Sequence, residues 1–152
     1  MSYGRLLLAA LAVCTISASL STIALAEESS ESTKTAEPAL QLELNAMEPS
    51  KAGCRLTFVV TNDLGKSLDK AAFEMALFND AGVVDRLTVL DFKELPSGKT
   101  KVTRFDLPGV DCGKIGRVLV NSATACSGAG ADAKACIRDL KTKSRAKIDF
   151  GS

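Results

Sequence analysis

From Leu40 onward, apolar residues return at every second position in one short run after another, and turn residues separate the runs. That pattern constrains the fold more than any other feature. A two-residue period gives a strand one buried face and denies a helix its apolar stripe. Leu40, Leu42, Leu44 and Ala46 alternate with Gln41, Glu43 and Asn45. In CRLTFVVTN, Cys54, Leu56, Phe58 and Val60 point one way and Arg55, Thr57, Val59 and Thr61 the other. Asn62-Asp63-Leu64-Gly65 is turn chemistry. AAFEMALF sets Phe73, Met75 and Leu77 on one side. Its Ala, Glu, Met and Leu favour a helix, yet the run stops at Asn79-Asp80-Ala81-Gly82 and meets VVDRLTVLDF at once, a hairpin signature.

Leu95-Pro96-Ser97-Gly98 marks the next turn, and KTKVTRFDL alternates again. IGRVLVNSA is the most strand-like run and is expected to be central. RAKIDF closes the domain with Ala146, Ile148 and Phe150 on one side. One short amphipathic helix is predicted over 132–141, capped by Asp132, with Ala133, Cys136, Ile137 and Leu140 on one face. Short strands at regular spacing, about seven in number, predict an all-β fold: a single antiparallel immunoglobulin-like β-sandwich with one short C-terminal helix. A parallel α/β fold needs crossover helices for which the chain has no room.

The 152 residues divide into three parts. Residues 1–26 read as a secretory signal peptide: Arg5, a long apolar run, then Ala24-Leu25-Ala26 before the acidic Glu27-Glu28. Cleavage is expected after Ala26, and Cys14 leaves with the leader. Residues 27–39, EESSESTKTAEPA, are polar and free of aromatics, so they are expected to form a disordered linker. Residues 40–152 form the sandwich domain. No segment after the leader reaches the roughly 18 apolar residues that a membrane span needs, so the membrane is expected to be met only through the cleaved signal. The expected compartment is the periplasm or the exterior.

Removing Arg5 from the 19 basic residues leaves 18, equal to the 18 acidic ones. That balance argues against a nucleic-acid partner. The balance conceals an asymmetry. Residues 27–50 carry six acids and one base, Lys34, whereas residues 134–147 carry six bases and one acid, Asp139. Such runs can be solvated faces that attract one another, or the basic end can dock on an unknown envelope protein or an anionic surface. Lys141, Lys143 and Arg145 are the candidate partner-binding residues for the second case.

Four cysteines remain after cleavage: Cys54, Cys112, Cys126 and Cys136. An even number in an exported domain implies disulfides. Three pairings exist, and a local Cys126–Cys136 clasp with Cys54–Cys112 joining two strand ends is favoured. No C-x-x-C occurs, which counts against a thioredoxin-like motif, and the spacing does not suit a zinc knuckle. The chain has no histidine, which removes Ser-His-Asp and Cys-His catalysis and histidine metal sites. Trp is absent and Tyr3 lies in the leader, so the domain lacks the polar aromatic platforms of many sugar sites. Asp80, Asp85, Asp91 and Glu94 sit in or beside turns, where acids serve the backbone. Gly128-Ala129-Gly130 followed by Lys134 has the wrong spacing for a phosphate loop. No catalytic residue, metal or cofactor is assigned.

FEMALFNDAGVV, then Leu95-Pro96-Ser97-Gly98, then Phe105, resembles the FxLYD-like group of secreted bacterial β-sandwiches, with Phe78 where the group has Tyr and Asn79 where it has Asp. CRLTFVVTN and RVLVNSATAC are similar to segments of small periplasmic proteins of alphaproteobacteria. The resemblance implies fold and compartment and brings no catalytic residue. The expected function is a non-enzymatic binding or structural module of the cell envelope, monomeric, engaging a partner through an exposed edge strand or the basic region. Two other classes stay open: a thiol-redox or stress-response factor using Cys126 and Cys136, and a small protease inhibitor presenting the stapled loop between them.

Overall fold

The structure, a computed structural model, describes residues 37–152. The expected leader and residues 27–36 of the expected linker lie outside the described residues. The linker was expected to run to residue 39, but Ala39 is buried and exchanges backbone hydrogen bonds with Asp63.

The architecture is all-β. Eight strands follow in order: β1 Leu40–Pro49, β2 Gly53–Asn62, β3 Leu68–Asn79, β4 Val84–Leu95, β5 Thr100–Pro108, β6 Ile115–Ser127, β7 Leu140–Ser144 and β8 Asp149–Gly151. They form two four-stranded sheets, ordered β5-β2-β1-β7 and β4-β3-β6-β8. A 3-10 turn, Cys112–Lys114, precedes β6, and a single helical turn α1, Ala135–Arg138, precedes β7.

The helix-prone residues of β3 form a strand because their context outweighs their propensity. The strand lies between β4 and β6, which satisfy its backbone on both sides. Its inward residues Phe73, Met75 and Leu77 are at most 1% exposed. Leu40, Leu42 and Leu44 of β1 and Leu56, Phe58 and Val60 of β2 are equally buried, as the period-two reading expects. The two apolar faces close on one another through phenylalanines. Phe58 of the first sheet meets Phe92 and Phe150 of the second edge to face, each at 5.6 Å between ring centres. One core cluster spans both sheets.

One polar side chain is fully buried at the end of β2. Asn62 donates to the carbonyls of Lys66 and Leu95 at 2.8 and 2.7 Å and accepts from the Leu64 N–H at 3.1 Å. It therefore ties the β2–β3 turn to the end of β4 with its amide satisfied. Two inward cations close the side where β4 and β5 lie nearest. Lys101 donates to the carbonyls of Phe92 and Glu94, and Arg86 to that of Pro108.

Two expectations are corrected. Not every pairing is antiparallel: β7 runs parallel to β1 and β8 parallel to β6. A strand that follows a tight hairpin within its own sheet must be antiparallel. Here the chain leaves β6 for the other sheet and returns for β8, so neither strand is a hairpin partner of its neighbour. The helix expected over 132–141 is one turn. Asp132 accepts from the Lys134 N–H, but Leu140 already belongs to β7, and Ile137 is 41% exposed and not on a buried face. The disulfide to Cys136 and the pull of β1 on residues 140–144 leave no length for a second turn.

Candidate functional site

The four cysteines form two disulfides in the favoured pairing. Cys54 opens β2, fully buried, and joins Cys112 in the 3-10 turn with 5.0 Å between Cα atoms. Cys126, near the end of β6, joins the buried Cys136 of α1 with 5.9 Å between Cα atoms. The clasped loop is held at further points. A Cβ at Gly128 would lie 2.2 Å from the Ser67 carbonyl oxygen, so the glycine permits a close backbone approach. Arg138 is ion-paired to Asp132 and, bidentately, to Asp139 at 2.9 and 2.7 Å. Gly128 thus has structural work in the loop, and Asp132 is engaged by the Lys134 N–H and by Arg138.

Lys141, Lys143 and Arg145 lie on or just after β7, an edge strand beside β1. Parallel pairing sets Lys141 opposite Gln41 and Lys143 opposite Glu43. Glu43 takes both of the other two cations: Arg145 Nε at 2.9 Å and Lys143 Nζ at 3.6 Å. The acidic start and the basic end of the domain therefore meet in one sheet, and only Lys141 of the three keeps an exposed ammonium without an ion pair among the described residues.

The structure brings together a different set. β6 is 13 residues long, but β8 pairs only with Arg117–Leu119. From Val120 to Ser127 the edge of β6 has no strand beside it among the described residues. Just past the end of β8 the edge faces a groove of about 490 Å³. Residues 121–123 of β6 form one wall, and Ala133, Lys134, Ile137 and Arg138 the other. The Cys126–Cys136 clasp holds α1 at that distance. The groove thus offers a strand edge with no strand beside it among the described residues, an exposed isoleucine and a lysine, which is what an extended peptide needs for main-chain pairing plus side-chain anchoring. Sequence reasoning placed Ile137 on a buried face and missed Asn121 and Ser122. The mismatch between a 13-residue strand and the short closing run was the available signal.

Two of the four turn acids, Asp91 and Glu94, serve local structure. Asp91 accepts from the backbone and ammonium of Lys93, and Glu94 lies 3.9 Å from Lys101. Hydrogen-bonded donors hold five carboxyls below their ordinary values, which are 3.8 for Asp and 4.5 for Glu. The donors are the Asn45 amide and then Arg145 for Glu43, the Lys93 ammonium for Asp91, Arg55 for Asp106, the Lys134 N–H and then Arg138 for Asp132, and Arg138 for Asp139. A carboxyl with a lowered folded value contributes stability that is complete above its unfolded value and is lost as pH falls through the lowered one. The urea midpoint is therefore expected to hold from about pH 7 to about pH 5 and to fall steadily below. Glu43→Gln removes one of these carboxyls and should therefore flatten the decline. A midpoint that rises on acidification contradicts this.

Among the described residues, no group of three or more His, Cys, Asp or Glu is placed to hold a metal ion, and no helix is long and apolar enough to cross a membrane. No protein-family model matches the chain, and no curated protein sequence matches it. Among solved structures, the Salmonella enterica trimeric lipoprotein SadB aligns with a TM-score of 0.40 at 21% identity, over 46% of this chain and 40% of that one.

Proposed function

We propose that the protein is an exported, non-enzymatic binding module of the cell envelope, and that it takes an extended segment of a partner protein along the open edge of β6. The observation that carries this reading is the unpaired stretch of β6 beside the groove at Asn121–Ala123. Export is supported by the leader and by two disulfides, which persist in oxidising compartments. The immunoglobulin-like sandwich is supported by strand order: β1-β2-β5 follows the A-B-E order and β4-β3-β6-β8 the C′-C-F-G order, with β8 parallel to β6 where G runs antiparallel to F. The likeness to FxLYD-like modules belongs to the same proposal. The line of β8 leads straight into the groove, so an incoming strand parallel to β6 continues a ladder that already exists.

The test is photocrosslinking in the native envelope from a benzophenone side chain at Ser122. The reading expects one defined adduct to a protein other than the chain itself. It also expects the adduct to disappear when a few β-forming residues are appended after Ser152, because a strand in cis then fills the edge. An adduct that survives this extension, or the absence of any adduct at Ser122 while the same probe at Lys141 gives one, overturns the β6 site.

A further inference from the structure

The opposite edge of the second sheet carries three of the six large apolar side chains that are exposed among the described residues. Val84, Leu87 and Val89 of β4 are 49%, 56% and 54% exposed. They point away from the core that buries Leu90 and Phe92 of the same strand. Register extends the patch across the sheet, since residues directly opposite one another share a face. Leu87 lies opposite Ala76, which lies opposite Leu119. Ala76 is only 4% exposed, covered on its outward face by these neighbours. On one side of this row, Val84 faces Phe78, and Phe78 faces Arg117, whose guanidinium sits 5.4 Å from the centre of the Phe78 ring. On the other side, Val89 faces Glu74, and Glu74 faces Ser122. Contiguous exposed apolar surface of this kind marks an interaction site.

We infer that this face binds a second copy of the chain, sheet against sheet, about a two-fold axis lying along the Leu87–Ala76–Leu119 row. An isologous contact must be self-complementary, and this face is. The rotation lays the row upon itself, leucine on leucine and alanine on alanine. It exchanges the two flanking rows, so that Val84 meets Val89 of the second copy and Phe78 meets its Glu74. The Arg117 guanidinium, leaning over Phe78 toward β3, then lies beneath Glu74 of the second copy. Glu74 uses one carboxylate oxygen on Asn121, and the other is left for the arginine. Each copy contributes both ends of the pair. Edge-to-edge pairing of β4 is the competing geometry, and it is blunted. Lys101 occupies the Phe92 and Glu94 carbonyls, and Arg86 is drawn inward to Pro108, the device by which natural sheets protect an edge. The face reaches the wall of the β6 groove at Ser122, which the rotation sets against Arg117 of the second copy, so a Ser122 adduct between two copies of the chain reports this contact and an adduct to a different protein reports the groove.

The experiment is sedimentation equilibrium on the disulfide-bonded protein, expressed with its own leader, over a wide concentration range. A concentration-dependent dimer is expected. Leu87→Asp should abolish it, and Val89→Lys should do the same. Both positions are exposed, and an unchanged unfolding midpoint verifies that the variants fold. Arg117→Glu should weaken association about tenfold through like-charge contact with Glu74, and Arg117→Glu combined with Glu74→Arg should restore it to within about threefold. A monomer at every concentration, which is what the sequence alone leads one to expect, overturns the inference. So does a dimer that Arg117→Glu leaves unchanged, since that result assigns the contact to the strand edge.

Discussion

Alanine at position 58 is expected to lower the free energy of unfolding by about 3–5 kcal/mol, the range for large core aromatics. Urea unfolding of the wild type and Phe58→Ala at equal disulfide content measures it. The ring is fully buried, and it touches three others edge to face: Phe92 and Phe150 at 5.6 Å and Phe105 at 6.0 Å. Phe92 in turn meets Phe73 at 5.7 Å and Phe105 at 5.0 Å. Phe58 thus bridges the sheets from the first, as Phe92 does from the second, and its removal leaves a cavity lined from both. Each aromatic pair adds about 0.5–1.5 kcal/mol beyond its buried area, which places the expectation toward the upper half of the range. Phe78 supplies the control. It faces outward under Arg117, and its replacement by alanine should cost less than half as much. Equal losses at the two positions would mean that the sheets do not share the core described above.

Removing the Cys54–Cys112 bridge is the second large effect. The cysteines are 58 residues apart in sequence, and closing such a loop restricts the unfolded chain by about 4 kcal/mol. The Cys126–Cys136 clasp spans 10 residues and is expected to contribute a little under 3 kcal/mol on the same reasoning. Paired replacement by alanine, Cys54 with Cys112 and separately Cys126 with Cys136, should therefore separate the two by about 1.5 kcal/mol in urea unfolding. Against a total of about 5–15 kcal/mol for a domain of this kind, loss of the longer bridge should bring the protein near its threshold. The clasp has a second consequence that the longer bridge does not share. It holds α1 beside β6, so the clasp variant should lose the Ser122 adduct while still folded. If the clasp proves the more stabilising bridge, the chain-entropy account is wrong for this protein.

The readable parts of the fold are those that depend on neighbours in sequence. Alternation along Leu40–Leu44 and Cys54–Val60 announced β1 and β2, and the turn at Asn79–Gly82 correctly outweighed the helix propensity of β3. The pairing of the cysteines was legible because one pair is local and the other follows by elimination. Less legible was the second apolar parity of β4. Leu90 and Phe92 face the core, while Leu87 and Val89 face outward. Apolar residues on both faces of one strand look in sequence like a buried strand, although here one face is open.

The sequence by itself determined that this chain is all-β, stapled by two disulfides and devoid of histidine chemistry. Periodicity, cysteine parity and composition are local or countable quantities, and each has a direct physical consequence. Only the tertiary structure decided that β7 and β8 run parallel to their neighbours, because the chain changes sheet between them. It also decided that Lys143 and Arg145 are engaged by Glu43, about a hundred residues earlier in the chain, and that β6 outruns β8, so that its far stretch has no strand beside it among the described residues. These features arise from which distant segments lie side by side. Such placement is settled by the packing of two sheets onto one core, and no short window of sequence contains it.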